Sequence, residues 1–445
     1  SVSFDGFDPA QVQKSADAVV ELLKRSGLEK VRKLEIPGAH PYVYGERLKA
    51  PGAPTLLLYA HHDVQPPGRE ELWKTPPFEP TFAEGPGGKR LYGRGTADDK
   101  AGIIVHTAAI SSYLEAIGEL PVNVKVVIEG EEEIGSDHLP IFLKTYRELL
   151  NADVLVLTDT ANFDCGVPAL TVALRGMVAV EVEVRALSKS IHSGMWGGPV
   201  PDPVMGLSKV LSTLVDDHGR LAIPGILDGL KPISAEEEKE LAKIPFNEAE
   251  FRAASGMLPS VQLLKQGPSP IAQLWKFPSL TITATQASSR KQAGNIINDV
   301  AWAKISIRLA PEMNPDEVLK KLKAHLRDHT PWGLELTLHD HGGNPPWSIE
   351  AKGPAYDAAV RAMEKGYGVP PLKMGCGGSI PFVRPFADAL GGAPALLIGV
   401  EDPYTNAHGE NESLLVSDLK KACLSQIYLF AEIAKTFKKS ERGNL

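Results

Sequence analysis

Four strand-like runs in this chain each end on a residue type that binds metals. Residues 55–60 run into His61-His62-Asp63, and residues 122–128 run into Glu129-Gly130-Glu131-Glu132-Glu133. Residues 153–158 run into Asp159, and residues 395–400 lead into a loop that carries His408. Short apolar runs of this kind, rich in Val, Ile and Leu, read as buried strands. Open α/β sheets bind ligands outside the carboxyl ends of their strands. Imidazoles and carboxylates collected along that edge read as a binuclear metal site, which makes the chain a candidate metal-dependent hydrolase.

At 445 residues the chain is long for one core, so two domains are expected. The net charge is −8, no Lys/Arg block stands out, and Lys438-Lys439 with Arg442 is only a short basic tail. Nucleic acid and anionic membrane are therefore not expected partners, and no apolar run approaches a membrane span. The three cysteines, Cys165, Cys376 and Cys423, are widely spaced and form no CxxC pair. That usage fits a reducing compartment and gives a cytoplasmic expectation. No signal-peptide pattern opens the chain, although it begins at Ser1 and not at Met, which leaves room for trimming.

A first helix is expected from Asp8 as N-cap and Pro9 in the first turn to a stop at Gly27. Strand and helix patterns then alternate, as in βαβ units with a mostly parallel sheet. Near Met177 the pattern changes: residues 178–185 alternate strictly, as a sheet with one wet face does. A helix over 202–218, strands over 279–285 and 300–309, a helix from Asn314-Pro315 and a strand over 333–339 complete a β-α-β-β-α-β order, the ferredoxin-like plan. A polar insertion around 234–243, with a solvated Glu-rich face, interrupts it. Beyond about Ser348 the α/β pattern returns, with helices over 354–365 and from about Ser417. The fold class is thus α/β, a mostly parallel-sheet domain with an inserted ferredoxin-like α+β domain.

Each motif alone also has an ordinary reading. His61-His62-Asp63 reads equally as a solvated turn or as a ligand with its orienting carboxylate, since alternate residues of an extended segment face the same way. In Gly93-Arg94-Gly95-Thr96-Ala97-Asp98-Asp99-Lys100 either aspartate reads as a plain N-cap or as a bridge between cations. The acidic run from Glu129 reads as a solvated loop, yet so many carboxylates behind a strand repel one another unless cations relieve them. Adjacent glutamates there can divide roles, one on a metal and one as general base. Asp159 and His408 gain weight only by their place in the same sheet. His192-Ser193-Gly194 reads as a turn, and Arg308 as an edge residue. Gly377-Gly378-Ser379-Ile380 reads as a loop before a helix or as a cradle for a carboxylate.

In order and context, His61-x-Asp63, Gly93-Arg94-Gly95-x-x-Asp98-Asp99-Lys100, Glu132-Glu133-x-Gly135-Ser136, Asp159 and Asn406-Ala407-His408 resemble the M20 metallopeptidases. The stretch from Tyr59 to Pro66, His192-Ser193-Gly194 and Gly377-Gly378-Ser379-Ile380-Pro381 resemble the carnosinase and nonspecific dipeptidase branch. The resemblance spans the chain and implies a catalytic domain over 1–177 and 349–445, with a lid and dimerisation domain over 178–348. It implies two divalent ions per subunit, zinc or manganese, bridged by Asp98. His61 and Asp159 would complete one site, and Glu133 and His408 the other. Glu132 would be general base and acid, Asp63 would orient His61, and the peptide after Asp98 would be cis. By the same resemblance, His192 polarises the scissile carbonyl in a neighbouring subunit of a homodimer. Arg308 and Ser379, with Gly378 beside it, would hold the substrate's C-terminal carboxylate, and Asn295 would make a further substrate contact.

One departure stands out: nonspecific dipeptidases usually carry Arg-Glu where this chain has Gly375-Cys376. Cys376 reads as a small buried thiol, not a nucleophile. The expected reaction is hydrolysis of a dipeptide amide bond by a metal-activated water. An N-acyl amino acid deacylase or a carboxypeptidase is the alternative on the same scaffold. Asp159 leans to the dipeptidases by resemblance, since deacylase branches commonly carry Glu there. A metal-dependent binding protein without catalysis is the rival from another class, and the paired Glu132 and Glu133 speak against it.

Overall fold

Two kinds of strand burial divide the molecule. The computed structural model describes residues 1–440 apart from 243, 266, 292 and 378–382. It separates into one unit of Ser1–Val172, Ile349–Met374 and the C-terminal part of the chain, and a second of Ala173–Ser348 with the segment that begins at Gly375.

In the first unit the strands Asn123–Glu129, Thr55–His61, Val154–Ala161 and Ala395–Glu401 lie side by side and parallel. They are buried along almost their whole length, as expected of parallel strands covered on both faces. Tyr42–Arg47 and Glu29–Leu34 extend one flank antiparallel, and Ala169–Leu174 extends the other. Helix Pro9–Arg25, capped by the Asp8 side chain on Ala10 N–H, contributes Ala16, Val19 and Leu23 to the core. Helices Lys100–Ala116, Pro354–Tyr367 and Val416–Ser440 add Ile103, Ile110, Met363, Leu429 and Phe430 to the same cluster. Parallel pairing brings four carboxyl ends to one edge of the sheet. The strand expected over 153–158 runs on to Ala161, because Ala161 still pairs with Glu401. Asp159 therefore sits inside the last turn of pairing and not beyond it.

The second unit is a four-stranded antiparallel sheet in the spatial order Ser279–Gln286, Val300–Leu309, Gly176–Arg185, Glu335–Asn344. With helices Pro203–Ser212 and Pro315–Asp328 this is the ferredoxin-like order. Burial alternates residue by residue along its two central strands. Val178, Val180, Val182 and Val184 meet Leu207, Val210, Leu319 and Leu322 of the helices on the buried face. Two expectations change here. The helix over 202–218 ends at Ser212, because Thr213 and Leu214 bond back to Val210 and Leu211 and Asp216 closes a turn with the N–H groups of His218 and Arg220. The last strand reaches Asn344 and not His339, because pairing with Gly176–Arg185 resumes after an irregularity at Asp340–Gly343. The polar insertion forms helix Ala235–Ala242, and helices Glu248–Ser255 and Pro270–Lys276 follow it.

Gly399 lies opposite Thr160 at the carboxyl edge of the parallel sheet, and a Cβ there would overlap the Thr160 carbonyl oxygen. Gly399→Ala must therefore spread the strands that lead to Asp159 and to the His408 loop. It is expected to destabilise the protein by about 3 kcal/mol, the upper range for overpacking, read as a lower denaturation midpoint with an unchanged m-value.

Candidate metal centre

His61 is the last residue of its strand, and both ring nitrogens are engaged. Nδ1 lies 3.2 Å from the Asp63 carbonyl oxygen and 3.4 Å from Asp63 Oδ1. Nε2 faces Asp98 Oδ1 at 3.0 Å, Asp159 Oδ1 at 3.7 Å and Glu132 Oε2 at 3.9 Å. His408, on the loop after the Ala395–Glu401 strand, places Nε2 2.9 Å from Asp98 Oδ2 and 3.3 Å from Glu133 Oε2. One oxygen of Asp98 thus addresses each imidazole. The peptide between Asp98 and Asp99 is cis.

The carboxylates are held from behind. Asp63 accepts from Ser3 Oγ at 2.7 Å and from the N–H groups of Glu132 and Glu133 at 3.2 and 3.1 Å. The residue that meets His61 therefore also fixes the Glu132–Ile134 turn. Gln65 donates to Glu133 from its backbone N–H at 3.1 Å and from Nε2 at 2.7 Å. Glu412, fully buried, accepts from the N–H groups of Gly95, Ala97 and Asp98 at 2.9–3.2 Å and from Arg94 Nη1 at 2.7 Å. Asp99 accepts the His61 N–H at 3.2 Å with one oxygen, and its other oxygen is buried with no hydrogen-bond partner among the described residues.

The electrostatics follow from crowding. Burial, then the charge of Asp159, lifts the Glu132 carboxyl well above the usual range. Burial, with Asp98 and Glu133, lifts Asp159 to about 6 against the pull of His61. Burial also opposes ionisation of Asp98, but His408 and His61 outweigh it and hold that carboxyl low. Asp98 and Glu133 raise His408, whose side chain is largely exposed, to about 11. Glu401, at the end of its strand, is lifted by burial and by Asp98 and Asp159.

Donor atoms of His61, Asp98 and Glu133, and those of His61, Asp99 and Asp159, each gather within 4.8 Å. Mixed imidazole and carboxylate donors, crowded acids and an unpartnered buried oxygen on Asp99 fit divalent cations. His61, Asp63, Asp98, Glu132, Glu133, Asp159 and His408 thus meet in one place. His192, Asn295 and Arg308 belong to the second unit. There His192 Nδ1 accepts the N–H groups of Gly194 and Met195 at 3.0 and 3.2 Å, and the Asn295 carbonyl accepts from Ser193. Arg308 is half-buried opposite Ser279. Gly378 and Ser379 lie outside the described residues.

The sequence reading assigns no site role to Gln65, Glu401 or Glu412 and gives the metal-binding role of the Asp98-Asp99 pair to Asp98. Gln65 and Asp99 stand inside the metal-site motifs and Glu401 ends a strand, so each carries a signal. Glu412 carries none, since its acceptor role depends on a fold contact more than 300 residues away.

The sequence model of Peptidase family M20/M25/M40 matches residues 57–430. The chain belongs to this family. Among relatives of the M20 peptidase, the cysteinylglycine-S-conjugate dipeptidase of Corynebacterium striatum is 32% identical, over 93% of this chain and 88% of that protein. The crystal structure of human carnosine dipeptidase 1 is similar with a TM-score of 0.86 at 27% identity, covering 98% of this chain and 93% of that one. The metallo-carboxypeptidase Sso-CP2 of Sulfolobus solfataricus is similar with a TM-score of 0.83 at 29% identity, covering 95% and 94%. No helix among the described residues of the M20 peptidase is long and apolar enough to cross a membrane.

Stripping divalent metal from this M20 peptidase with a chelator should lower its thermal midpoint, and Zn²⁺ or Mn²⁺ should restore it. A ligand at a thousandfold its Kd adds about 4 kcal/mol. Asp98→Ala removes both shared oxygens and should abolish the metal-dependent part of the shift in calorimetry.

Proposed function

We propose that this metal-dependent dipeptidase would hold two divalent ions, zinc or manganese, with Asp98 serving both; His61 and Asp159 would hold one, and Glu133 and His408 the other. The observation that carries this reading is the division of Asp98, one oxygen to each imidazole, with Glu132 beside them. When bound, such ions supply Lewis-acid activation of water and of the amide carbonyl.

The remaining steps belong to side chains. Glu132 takes a proton from water and returns it to the leaving amine. The burial and neighbouring acids that raise its proton affinity suit both halves of that task. Asp63 keeps His61 and the Glu132 turn in register. His192 receives two N–H groups on Nδ1, so its neutral ring carries the proton on Nε2, the nitrogen that can donate to a carbonyl oxygen. It acts in the site of a second copy of the chain, which makes the enzyme a homodimer. Arg308, with Gly378 and Ser379, holds the free C-terminal carboxylate of the substrate, with Asn295 as a further contact. The free thiols Cys165 and Cys423 support a reducing, cytoplasmic setting.

Glu132→Ala is expected to abolish turnover, a loss of about 10³-fold or more in kcat, while metal content by elemental analysis stays at the wild-type value. Near-normal kcat would remove Glu132 from the reaction. Rates on free dipeptides, N-acetyl amino acids and longer peptides with the same preparation separate a dipeptidase from a deacylase and from a carboxypeptidase. For the shared site, refolding equal amounts of the inactive variants Glu132→Ala and His192→Ala together should restore about a quarter of wild-type activity, because half the dimers are mixed and each mixed dimer holds one complete site. No restoration would place His192 in the site of its own chain or outside the reaction.

A further inference from the structure

Arg175 stands one residue ahead of the Gly176–Arg185 strand and is 9% exposed. Its Nε donates to the Gly377 carbonyl at 3.0 Å and its Nη1 to Ser279 Oγ at 3.0 Å. Both acceptors are neutral, and no carboxylate pairs with Arg175 among the described residues. Ser279 is the cross-strand partner of Arg308, so the two arginines share one patch of one sheet. Burial, then the like charge of Arg308, pulls Arg175 down to about 10, and burial lowers Arg308 as well. Two cations are thus drawn partly out of water beside each other, where an anion gains most.

The rest of the patch carries no Asp or Glu in its sequence positions 375–377. At Gly377 a Cβ would come 3.0 Å from Arg175 Nη2, so glycine keeps that nitrogen clear. At Gly375 a Cβ would come 2.7 Å from Trp275 Cβ and 2.8 Å from Cγ, so the indole fills the room a side chain would take. The place where the resembled dipeptidases carry an arginine is therefore closed by Trp275. The next place, where they carry an acid, holds the thiol of Cys376. Arg175 meets only neutral acceptors, so beside an Arg308 that holds the substrate's terminal carboxylate it offers its guanidinium to a second anionic group.

We infer that Arg175 and Arg308 form a two-guanidinium subsite that takes both carboxylates of a dipeptide ending in aspartate or glutamate, with Arg175 as the residue that selects the acidic side chain. This rests on the dipeptidase reading above. Ala-Glu and Ala-Gln differ only in that charge, so they are the probes.

The wild-type enzyme is expected to favour Ala-Glu over Ala-Gln by about tenfold or more in kcat/KM, carried by KM, the size expected when a neutral isostere replaces one partner of a charge-assisted hydrogen bond. Arg175→Met should bring the ratio close to one, and Arg175→Lys should keep part of it. A purely structural Arg175 would weaken both substrates alike and leave the ratio unchanged, which overturns the inference. Equal wild-type rates on the two probes overturn it without any variant. Wild-type protein inert on Ala-Glu, Ala-Gln and Ala-Ala alike removes the dipeptidase reading, and the subsite with it.

Discussion

Asp98 is the residue on which the rest of the site depends. It is a buried carboxylate, and a buried carboxylate persists only with opposite charge close by. Two imidazoles from opposite ends of the chain supply that charge, one to each oxygen. They do not suffice for the acids around them. Asp159 is lifted to about 6 and Glu132 and Glu401 well above the ordinary range, so the protein alone leaves a shortage of positive charge at this edge. Divalent cations relieve that shortage and are therefore part of the charge balance as well as of the chemistry.

Holding Asp98 in place takes contacts that chain order does not suggest. Glu412 gathers the N–H groups of Gly95, Ala97 and Asp98 on one carboxylate and pairs with Arg94. Arg94 in turn donates to the carbonyls of Pro66 and Gly409. The loop after His61, the loop that carries Asp98 and the loop that carries His408 are thereby tied at one buried ion pair. Breaking one partner of such a pair leaves an uncompensated charge, typically a loss of about 3–5 kcal/mol. The loops are consequently fixed relative to each other by the same group that orients the Asp98 loop.

The sheet and its active edge were legible because they follow from local pattern. Leu56-Leu57-Leu58-Tyr59 and Val124-Lys125-Val126-Val127 read as strands buried on both faces, and parallel pairing then sends His61 and Glu129 to one level. The strict alternation from Val178 to Arg185 likewise announced a sheet with one wet face. Element ends were less legible. Asp216 closing a turn against Arg220 shortened a helix, and renewed pairing past Asp340 lengthened a strand, and both are contacts that a hydropathy pattern does not carry. Glu412 and the Trp275 ring against Gly375 were invisible for a stronger reason. An ordinary-looking acid and an ordinary tryptophan acquire their roles only from residues that folding brings beside them.

The two sheets carry function differently because they are buried differently. A strand covered on both faces can present polar groups only where it ends, so the parallel sheet concentrates its imidazoles and acids at one edge and stabilises them with shared carboxylates. A strand with one wet face can carry a charged residue within its length without breaking its core, as Val300–Leu309 does with Arg308 between buried Ile307 and Leu309. Residues of the first kind are locked by several buried partners each, and substitution there removes the chemistry. Arg308, of the second kind, shares its surroundings with Arg175 and Cys376. On the proposed roles of Arg308 and Arg175, change of substrate with retention of the reaction is expected to run through the antiparallel sheet, away from the proposed metal ligands.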